Sequence, residues 1–286
     1  MAAKSCCRYP ALDYEAPQKF VMNNFLNKTI WITGASSGIG EALATQLSNT
    51  RCNIIISARR LDELNRVSAN LSNSAATIHV VELDLARQPS LESAVEKVFK
   101  LTNRVDVLIL NGGISHRGAV SETLMDVHRR IMEVNYFGTI SLTKLVLPYM
   151  LNQKYGQIVV ISSVVGKFAT QLRSAYAASK HALHGFFDAL RSEVYNNGID
   201  ITIICPGYIR TNISVNALTA NGTTHNKMDD NQRNGMEPLT FAKKALKVIS
   251  ARKFEAYIGS KEVLGVYLKR FFPAIFARII RKRKVT

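Results

Sequence analysis

A tyrosine and a lysine four residues apart, Tyr176 and Lys180, are the side chains best suited to proton transfer in this chain. In a helix, positions i and i+4 lie on one face, so the phenol and the ammonium would point the same way. A free tyrosine has a pKa near ~10, and a fixed positive charge nearby is expected to lower it. Such a phenol can donate a proton to a carbonyl oxygen or accept one from an alcohol.

A serine, Ser163, stands just beyond the apolar run 158–161, which is typical of a buried strand. A hydroxyl at a strand end and a Tyr/Lys pair on the next helix can meet at the carboxyl edge of a sheet. The alternative is a surface tyrosine and lysine on an ordinary helix. The spacing alone does not decide between a catalytic pair and a surface pair, so the remaining motifs of the chain are needed.

A glycine-rich turn connects the apolar strand 29–33 to a helix over 41–47. Such a turn lets a phosphate approach the backbone, and the helix N-terminus offers unpaired N–H groups and a positive dipole end. The spacing is G-x3-G-x-G, not the common G-x-G-x-x-G. The residues expected to bind a dinucleotide phosphate here are Gly34, Ser36, Ser37, Gly38, Ile39 and Gly40.

Two arginines, Arg59 and Arg60, follow the second strand, 53–57, where dinucleotide folds often have an acid for the ribose 2′-hydroxyl. A guanidinium matches a phosphate with two hydrogen bonds, so this pair favours a 2′-phosphate and hence NADP(H). The alternative is that these arginines merely begin a solvated helix.

Later strand ends are expected to complete the cofactor cleft. The predicted strands are 77–83, 105–110 and 200–205. The residues that follow them and are expected to contact the cofactor are Asp84, Leu85, Asn111, Gly112, Pro206, Gly207, Ile209 and Thr211. A long helical stretch, 121–150, contains Asn135, which near an active site could order a water; elsewhere it would be a solvated face or a local bend.

Composition limits the remaining possibilities. The 286 residues are 47% hydrophobic, enough for a sizeable core, and the formal net charge of +16 suits nucleic acid, an anionic membrane surface or an anionic ligand. The four cysteines form no disulfide framework or zinc motif, and His181 and His184 lack further ligands, so no metal is expected. No signal peptide and no run of 18 apolar residues is found.

The chain divides into an N-terminal arm (1–27), one domain (28–260) and a basic tail (261–286). The adjacent pair Cys6 and Cys7 is either acylated or an ordinary exposed pair. The loop 212–236, rich in Asn, Thr and Gly, is expected to be a substrate loop.

After Glu262 the tail has no acidic residue, and the seven basic residues there are interleaved with apolar ones. This pattern suits an anionic membrane surface, or a helix that closes the substrate pocket, and the two are compatible. Pro273 predicts two short helices rather than one.

Several of these motifs occur together in a familiar order. They are Thr33-Gly34-x3-Gly38-x-Gly40, Asn111-Gly112-Gly113, Asn135, Ser163, Tyr176-x3-Lys180 and Pro206-Gly207-x3-Thr211. Over roughly residues 27–260 the chain resembles the classical short-chain dehydrogenases/reductases. The stretches 174–181 and 115–118 are most similar to the dehydrogenase/reductase member 7 and 7B group. Gly112 stands where the family usually has alanine, a change expected to cost little.

The resemblance implies an α/β fold: a Rossmann-type, doubly wound parallel sheet of about seven strands in three α/β/α layers. It implies that Tyr176 is the general acid/base, and that Lys180 lowers its pKa and holds the nicotinamide ribose. Ser163 would hydrogen-bond the substrate oxygen, and Asn135 would order a water that relays protons to Lys180. A homo-oligomer is also what the family suggests.

The expected function is an NADP(H)-dependent oxidoreductase that interconverts a ketone and a secondary alcohol on an apolar, lipid-like substrate of steroid, retinoid or acyl-glycerone type. Ser163 and Tyr176 would contact the substrate. The pocket would be walled by Val164, Val165, Tyr208, Ile209 and the loop 212–236, with Lys167, Arg173 and His116 near its rim and suited to an anionic head group. The alternative is a non-catalytic dinucleotide sensor that binds a membrane or a partner through its basic surface.

No nucleic acid is expected as a partner. The expected location is cytosol-facing and peripheral on the endoplasmic reticulum or peroxisome membrane, or else soluble in the cytoplasm.

Overall fold

Continuous apolar runs form the strands, because both faces of a parallel sheet are covered by helices. The computed structural model describes residues 18–282, with side chains from Val21 onward. The strands of its main sheet are β1 (Thr29–Thr33), β2 (Asn53–Ala58), β3 (Thr77–Glu82), β4 (Val107–Leu110), β5 (Gly156–Ile161), β6 (Ile199–Pro206) and β7 (Glu255–Ile258).

The seven strands are all parallel and lie in the order β3-β2-β1-β4-β5-β6-β7. The chain therefore winds outward in one direction from β1 and in the other from β4. A crevice opens outside the carboxyl ends of the strands where the order reverses, and ligands of such sheets bind there. The predicted Rossmann-type sheet of seven strands is confirmed.

Helices cover both faces of the sheet. They are α1 (Gln18–Asn23), α2 (Gly38–Leu47), α3 (Leu61–Asn70), α4 (Gln88–Thr102), α5 (Met125–Met132), α6 (Gly138–Gln153), α7 (Ser174–Glu193), α8 (Pro238–Ser250), α9 (Leu264–Phe271) and α10 (Pro273–Lys282). One apolar core joins the sheet to α2, α3 and α8, and a second joins it to α4, α6 and α7. Between residues 18 and 282, no helix has the length and apolarity needed to cross a membrane.

The helical stretch predicted over 121–150 is not one regular helix. It consists of α5, a π-helical turn (Glu133–Phe137) and α6. A π turn inserts one extra residue into a helix, frequently at a functional site. Asn135 lies within this turn, and its side chain is fully buried. Hydropathy could not reveal the turn, because the residues around it remain compatible with a helix.

The N-terminal boundary differs from the predicted arm. Helix α1 and the residues after it pack on the core, and Val21 and Phe25 are only 5% and 2% exposed. Residues 1–17, with Cys6 and Cys7, lie outside the described residues, as do Arg283 and Lys284. Burial of two apolar side chains is what makes this segment part of the domain.

The loop 212–236 carries more structure than its composition predicted. Its strand Leu218–Thr219 pairs in parallel with His116–Arg117, and Asp230–Arg233 forms a helical turn. After the domain, the tail forms the two short helices α9 and α10, with Pro273 at the start of the second. The two-helix prediction for the tail is confirmed.

Phe25→Ala should lower the free energy of unfolding by about 3 kcal/mol, since it removes a large buried side chain and leaves a cavity. The matched control is the neighbouring Leu26→Ala, because Leu26 is 43% exposed. That control should change stability by less than about 0.5 kcal/mol. Urea unfolding measures both variants, and equal effects would show that residues 21–25 do not belong to the folded domain.

Candidate active site

Ser163 and Tyr176 meet beyond the carboxyl end of β5. The Ser163 hydroxyl accepts a hydrogen bond from the Val165 amide at 3.3 Å and lies 3.4 Å from the Pro206 carbonyl, to which it can donate. Ser163 also shares a hydrogen bond with the Tyr176 phenol. The two hydroxyl groups therefore converge on one point, as donors to a single substrate oxygen must.

Lys180 is buried one helical turn after Tyr176, on the same side of α7. Its Nζ donates to the Ile161 carbonyl at 2.8 Å and lies 5.8 Å from the centre of the Tyr176 ring. Burial lowers the pKa of Lys180 to about 8. The i, i+4 spacing thus brings the phenol and the ammonium together, as the sequence predicts.

The expectation for the Tyr176 pKa is wrong in its direction. Burial raises the pKa of Tyr176 above its usual value, although Arg173, the hydrogen bond from Ser163 and Arg117 act in the opposite direction. Desolvation of the buried phenol, which the spacing of Tyr176 and Lys180 cannot reveal, outweighs the charges around it. In this state Tyr176 is protonated at neutral pH, which is the form that can donate a proton to a carbonyl oxygen.

Asn135 is oriented by the backbone of the segment after β4. Its Oδ1 accepts from the Ile114 amide at 2.8 Å, and its Nδ2 donates to the Ile114 carbonyl at 2.9 Å and to Ser179 Oγ at 3.0 Å. A Cβ atom at Gly113 would lie 3.1 Å from Asn135 Oδ1 and 3.7 Å from Lys180 Nζ. Gly113 therefore lies next to both side chains. The role of Asn135 in ordering a relay water stays a prediction.

A cleft of about 780 Å³ follows the carboxyl ends of the central strands. The predicted cofactor residues that line it are Gly34, Ser36, Ser37, Gly38, Ile39, Arg59, Arg60, Asp84, Leu85, Asn111, Gly112 and Thr211. Of the other predicted cofactor residues, Tyr176, Lys180, Pro206, Gly207 and Ile209 line an adjoining cavity instead, and Gly40 lines neither.

The glycine turn fits a phosphate. Gly34 and Gly38 have φ of +65° and +61°, a conformation that favours glycine. A Cβ at Gly40 would come within 2.4 Å of the Gly34 carbonyl oxygen, so Gly40 serves the close packing of α2 under the turn. Because no side chain fills the turn, its backbone remains accessible to the diphosphate of a dinucleotide.

Both predicted arginines line this cleft beside the end of β2. Arg60 Nη2 donates to Ser36 Oγ at 3.2 Å and to Ser37 Oγ at 3.3 Å, which places its guanidinium beside the glycine turn. Arg59 is exposed next to it. Two cations and two hydroxyl groups can together surround a phosphate on the ribose.

The glycine at position 112 is matched to its surroundings. A Cβ there would come within 2.6 Å of Leu85 Cδ1, so Leu85 occupies the space that an alanine methyl would need. Glycine in place of the usual alanine at position 112 therefore leaves no gap in the cleft wall, because Leu85 fills the space.

The adjoining cavity measures about 680 Å³ and has Tyr176, Ser163 and Lys180 in its wall. It meets the cofactor cleft at residues that line both: Ile39, Asn111, Gly113, Ser115, Thr211 and Ile213. The predicted walls Val164, Val165, Tyr208 and Ile209 also line it. A molecule in this cavity and a dinucleotide in the cleft would therefore meet at these shared residues.

The C-terminal tail forms the roof of this cavity. Phe276 of α10 packs edge-on against Phe168, with ring centroids 5.3 Å apart, and Val266 of α9 joins the same apolar cluster. Glu262, which precedes the tail helices, accepts from the Tyr208 amide at 2.9 Å and fixes where the tail begins. Of the two roles that the sequence left open, closing the pocket is therefore the one that the packing shows.

A buried ion cluster forms the inner wall. Asp229 Oδ2 accepts from Arg117 Nε at 2.9 Å and from Arg173 Nη2 at 3.0 Å, and all three side chains are less than about one tenth exposed. Arg117 and Arg173 line the cavity. Two guanidinium groups and one carboxylate leave a net charge of +1 beside Tyr176, and they join the loop 212–236 to the start of α7.

Of the three residues predicted near the rim, only Arg173 lines the cavity. Lys167 pairs with Glu255 at 2.7 Å, and His116 is buried and bonded to Thr123 at 3.1 Å. Burial and nearby His128 and Arg117 lower the pKa of His116 to about 4, so it is uncharged at neutral pH. Arg117 and Asp229 could not be predicted as partners, because 112 positions separate them and no local pattern connects them.

Comparison with known proteins identifies the family. The short chain dehydrogenase family model matches residues 28–222. The chain is 42% identical to a dehydrogenase/reductase SDR family protein 7-like of Drosophila melanogaster, over 94% of this chain and 83% of that protein. It is 39% identical to dehydrogenase/reductase SDR family member 7B of Rattus norvegicus, over 90% of this chain and 81% of that protein. The predicted similarity to the member 7 and 7B group is confirmed.

Solved structures show the same fold with nicotinamide cofactors. A short-chain dehydrogenase/reductase from Burkholderia phymatum in complex with NAD superimposes with a TM-score of 0.78, at 21% identity over 92% of this chain and 98% of that one. A variant of actinorhodin polyketide ketoreductase with NADPH gives 0.61, at 31% identity over 68% and 73% of the two chains. The chain belongs to the short-chain dehydrogenase/reductase family of oxidoreductases.

Proposed function

We propose that the protein is an NADP(H)-dependent oxidoreductase that interconverts a carbonyl and a secondary alcohol on an apolar, lipid-like substrate. The observation that carries this proposal is that Ser163, Tyr176 and Lys180 line an apolar cavity that shares six of its lining residues with the cofactor cleft. A substrate oxygen between Ser163 and Tyr176 would be beside the cofactor and shielded from water.

The chemistry follows from which atoms these residues present. A bound reduced nicotinamide would supply a hydride to the carbonyl carbon. As negative charge develops on the substrate oxygen, Ser163 stabilises it by hydrogen bonding and Tyr176 transfers its phenolic proton to it. The Lys180 ammonium, 5.8 Å from the Tyr176 ring centre, stabilises the phenolate that is left. In the oxidative direction Tyr176 takes the alcohol proton.

The cavity supports an apolar substrate. Its volume of about 680 Å³ lies within the roughly 300–1,000 Å³ typical of small-molecule sites. Steroid, retinoid and acyl-glycerone carbonyls all suit it in size and polarity. Side chains that make its wall apolar include Val164, Val165, Phe168, Leu268, Phe271, Phe272, Phe276 and Ile280. The net positive Arg117–Asp229–Arg173 cluster would favour an acidic group at the inner end of such a substrate.

Preference for NADP(H) is supported by Arg59 and Arg60 in the cleft, and by the absence of an acid directly after β2. The ketoreductase described above was solved with NADPH, and the Burkholderia protein was solved with NAD. The preference of this chain therefore depends on its own two arginines. A purely sensing protein would not need Tyr176 and Ser163 to converge on one point, so the non-catalytic alternative is not favoured.

Tyr176→Phe should reduce turnover of apolar ketones with NADPH by about 10²- to 10⁴-fold, because it removes the transferred proton. NADPH affinity should stay nearly unchanged. Tyr195→Phe is the matched control, since Tyr195 is 74% exposed and lies outside both cavities. NADPH oxidation across a panel of apolar ketones measures turnover. A turnover rate of the Tyr176→Phe variant within about tenfold of the wild-type rate would contradict the role of Tyr176 as the proton donor.

Arg59→Ala combined with Arg60→Ala should weaken NADPH binding much more than NADH binding, since only NADPH carries the 2′-phosphate. Arg51→Ala with Arg87→Ala removes two exposed arginines that do not line the cleft and should change neither affinity by much. Fluorescence titration with both cofactors gives the four dissociation constants. An equal loss for NADPH and NADH would show that the pair does not recognise that phosphate.

NADPH binding should weaken several-fold between pH 7.5 and pH 9, because the pKa of Lys180 is lowered to about 8 and only its charged form attracts the cofactor. Lys180→Met should bind more weakly at pH 7.5 and lose this pH dependence. Lys144→Met, at an exposed position on α6, should keep it. If the wild-type dissociation constant stays constant up to pH 9.5, Lys180 does not hold the cofactor through its charge.

A further inference from the structure

The roof helices expose apolar side chains on their outer surface. On α9, Leu264, Tyr267 and Phe271 are 66%, 50% and 68% exposed, and their spacing of three and four residues puts them on one face. On α10, Ile275 and Ile279 are 48% and 47% exposed and lie one turn apart. Contiguous apolar surface of this kind on a folded protein usually marks an interaction site.

These exposed side chains also surround the mouth of the substrate cavity. Leu264, Tyr267, Phe271, Phe272 and Ile279 all line the cavity while remaining about half exposed or more. The inner sides of the same helices are packed, because Val266 and Phe276 contact Phe168 in the roof cluster. The apolar surface therefore continues from the outside of the roof into the cavity that contains Tyr176.

Basic side chains flank this apolar face. Arg270 lies three residues after Tyr267, Arg278 three residues after Ile275, and Lys282 three residues after Ile279, so each is a neighbour on the helix surface. All three are exposed. The sequence has no acidic residue after Glu262 to neutralise them. Apolar side chains beside unneutralised cations suit the boundary between acyl chains and anionic head groups.

We propose that the outer face of α9 and α10 docks on an anionic membrane surface and that the substrate enters the cavity directly from the bilayer. Docking itself follows from the surface chemistry, while the entry of substrate rests on the proposed function. The face would lie on a cytosol-facing leaflet, which carries anionic lipid. An apolar ketone dissolved among acyl chains would then reach Tyr176 without crossing water.

A second copy of the chain suits this face less well. A twofold dimer pairs the same surface patch with itself, so Arg270, Arg278 and Lys282 of both copies would approach one another. No acidic residue follows Glu262 in the tail to pair with them. Like charges brought together at an interface oppose association, whereas an anionic leaflet attracts them.

The test of docking compares charge variants by sedimentation with vesicles. Arg270→Gln/Arg278→Gln/Lys282→Gln should bind vesicles of phosphatidylserine and phosphatidylcholine about a hundredfold more weakly than wild type, at about fivefold for each basic residue. Lys97→Gln/Lys100→Gln/Lys144→Gln removes the same charge from α4 and α6, which line neither cavity, and should bind as wild type does. Phosphatidylcholine alone should bind the wild type weakly, and added salt should release it.

The test of entry compares turnover of one apolar ketone dissolved either in anionic vesicles or in neutral vesicles. Wild-type turnover of ketone dissolved in anionic vesicles should exceed turnover in neutral vesicles, and the tail charge variant should lose this advantage. Both proteins should turn over a water-soluble ketone equally, because none of the three basic residues lines the cavity. Equal turnover in the two kinds of vesicle would overturn direct entry.

Two results would overturn docking. One is vesicle binding by the tail charge variant that equals that of wild type. The other is a dimer in analytical ultracentrifugation that Ile275→Asp dissociates, which would assign the face to a second copy. Vesicle binding without turnover of any ketone would leave docking intact and contradict the proposed function instead.

Discussion

The active site depends on how the fold accommodates one buried ammonium group. Lys180 Nζ donates to the Ile161 carbonyl at 2.8 Å, at the carboxyl end of β5. A buried cation without such an acceptor would cost several kcal/mol, so this bond limits where α7 can lie against the sheet. Tyr176 is one turn earlier on α7 and is placed beside Ser163 by the same constraint. The phenol is therefore positioned through the lysine.

The opposite side of the site is set by the change in winding direction between β1 and β4. Because these two strands are neighbours in the sheet, the glycine turn after β1 and the Asn111–Ile114 segment after β4 face one crevice. The π turn in the following helix directs Asn135 at the Ile114 backbone and holds that segment in place. The regular sheet thus forms the cofactor cleft, and the π turn that contains Asn135 supports the cleft wall at Ile114.

The tail closes the apolar cavity beside this framework. Phe168 lies between the catalytic strand end and α7, and packing of Phe276 on it brings the tail helices over Tyr176. The same packing leaves the other side of both helices exposed. The two amphipathic tail helices therefore separate the cavity that contains Tyr176 from the outside of the protein.

Features encoded by residues close in sequence could be predicted, and features that depend on distant contacts could not. The strands, the glycine turn, the pairing of Tyr176 with Lys180 and the break at Pro273 follow from local spacing. The bond between Arg117 and Asp229 spans 112 positions, so no window of sequence contains it. The raised pKa of Tyr176 has the same origin, because desolvation depends on everything packed around the phenol.

The burial of Phe25 could not be predicted for a related reason. The polar composition of residues 1–27 as a whole concealed Phe25, whose burial is set by the core that it contacts. Gly112 is a similar case, because its fit depends on Leu85 from another strand end.

Transfer of deuterium tests the central claim most directly. NADPH carrying deuterium at both C4 positions of the nicotinamide would be mixed with excess enzyme and an apolar ketone, and the alcohol analysed by mass spectrometry. The account predicts one deuterium on the carbinol carbon of the product and none at its exchangeable hydroxyl. It would be contradicted if NADPH binds while no apolar ketone gains deuterium.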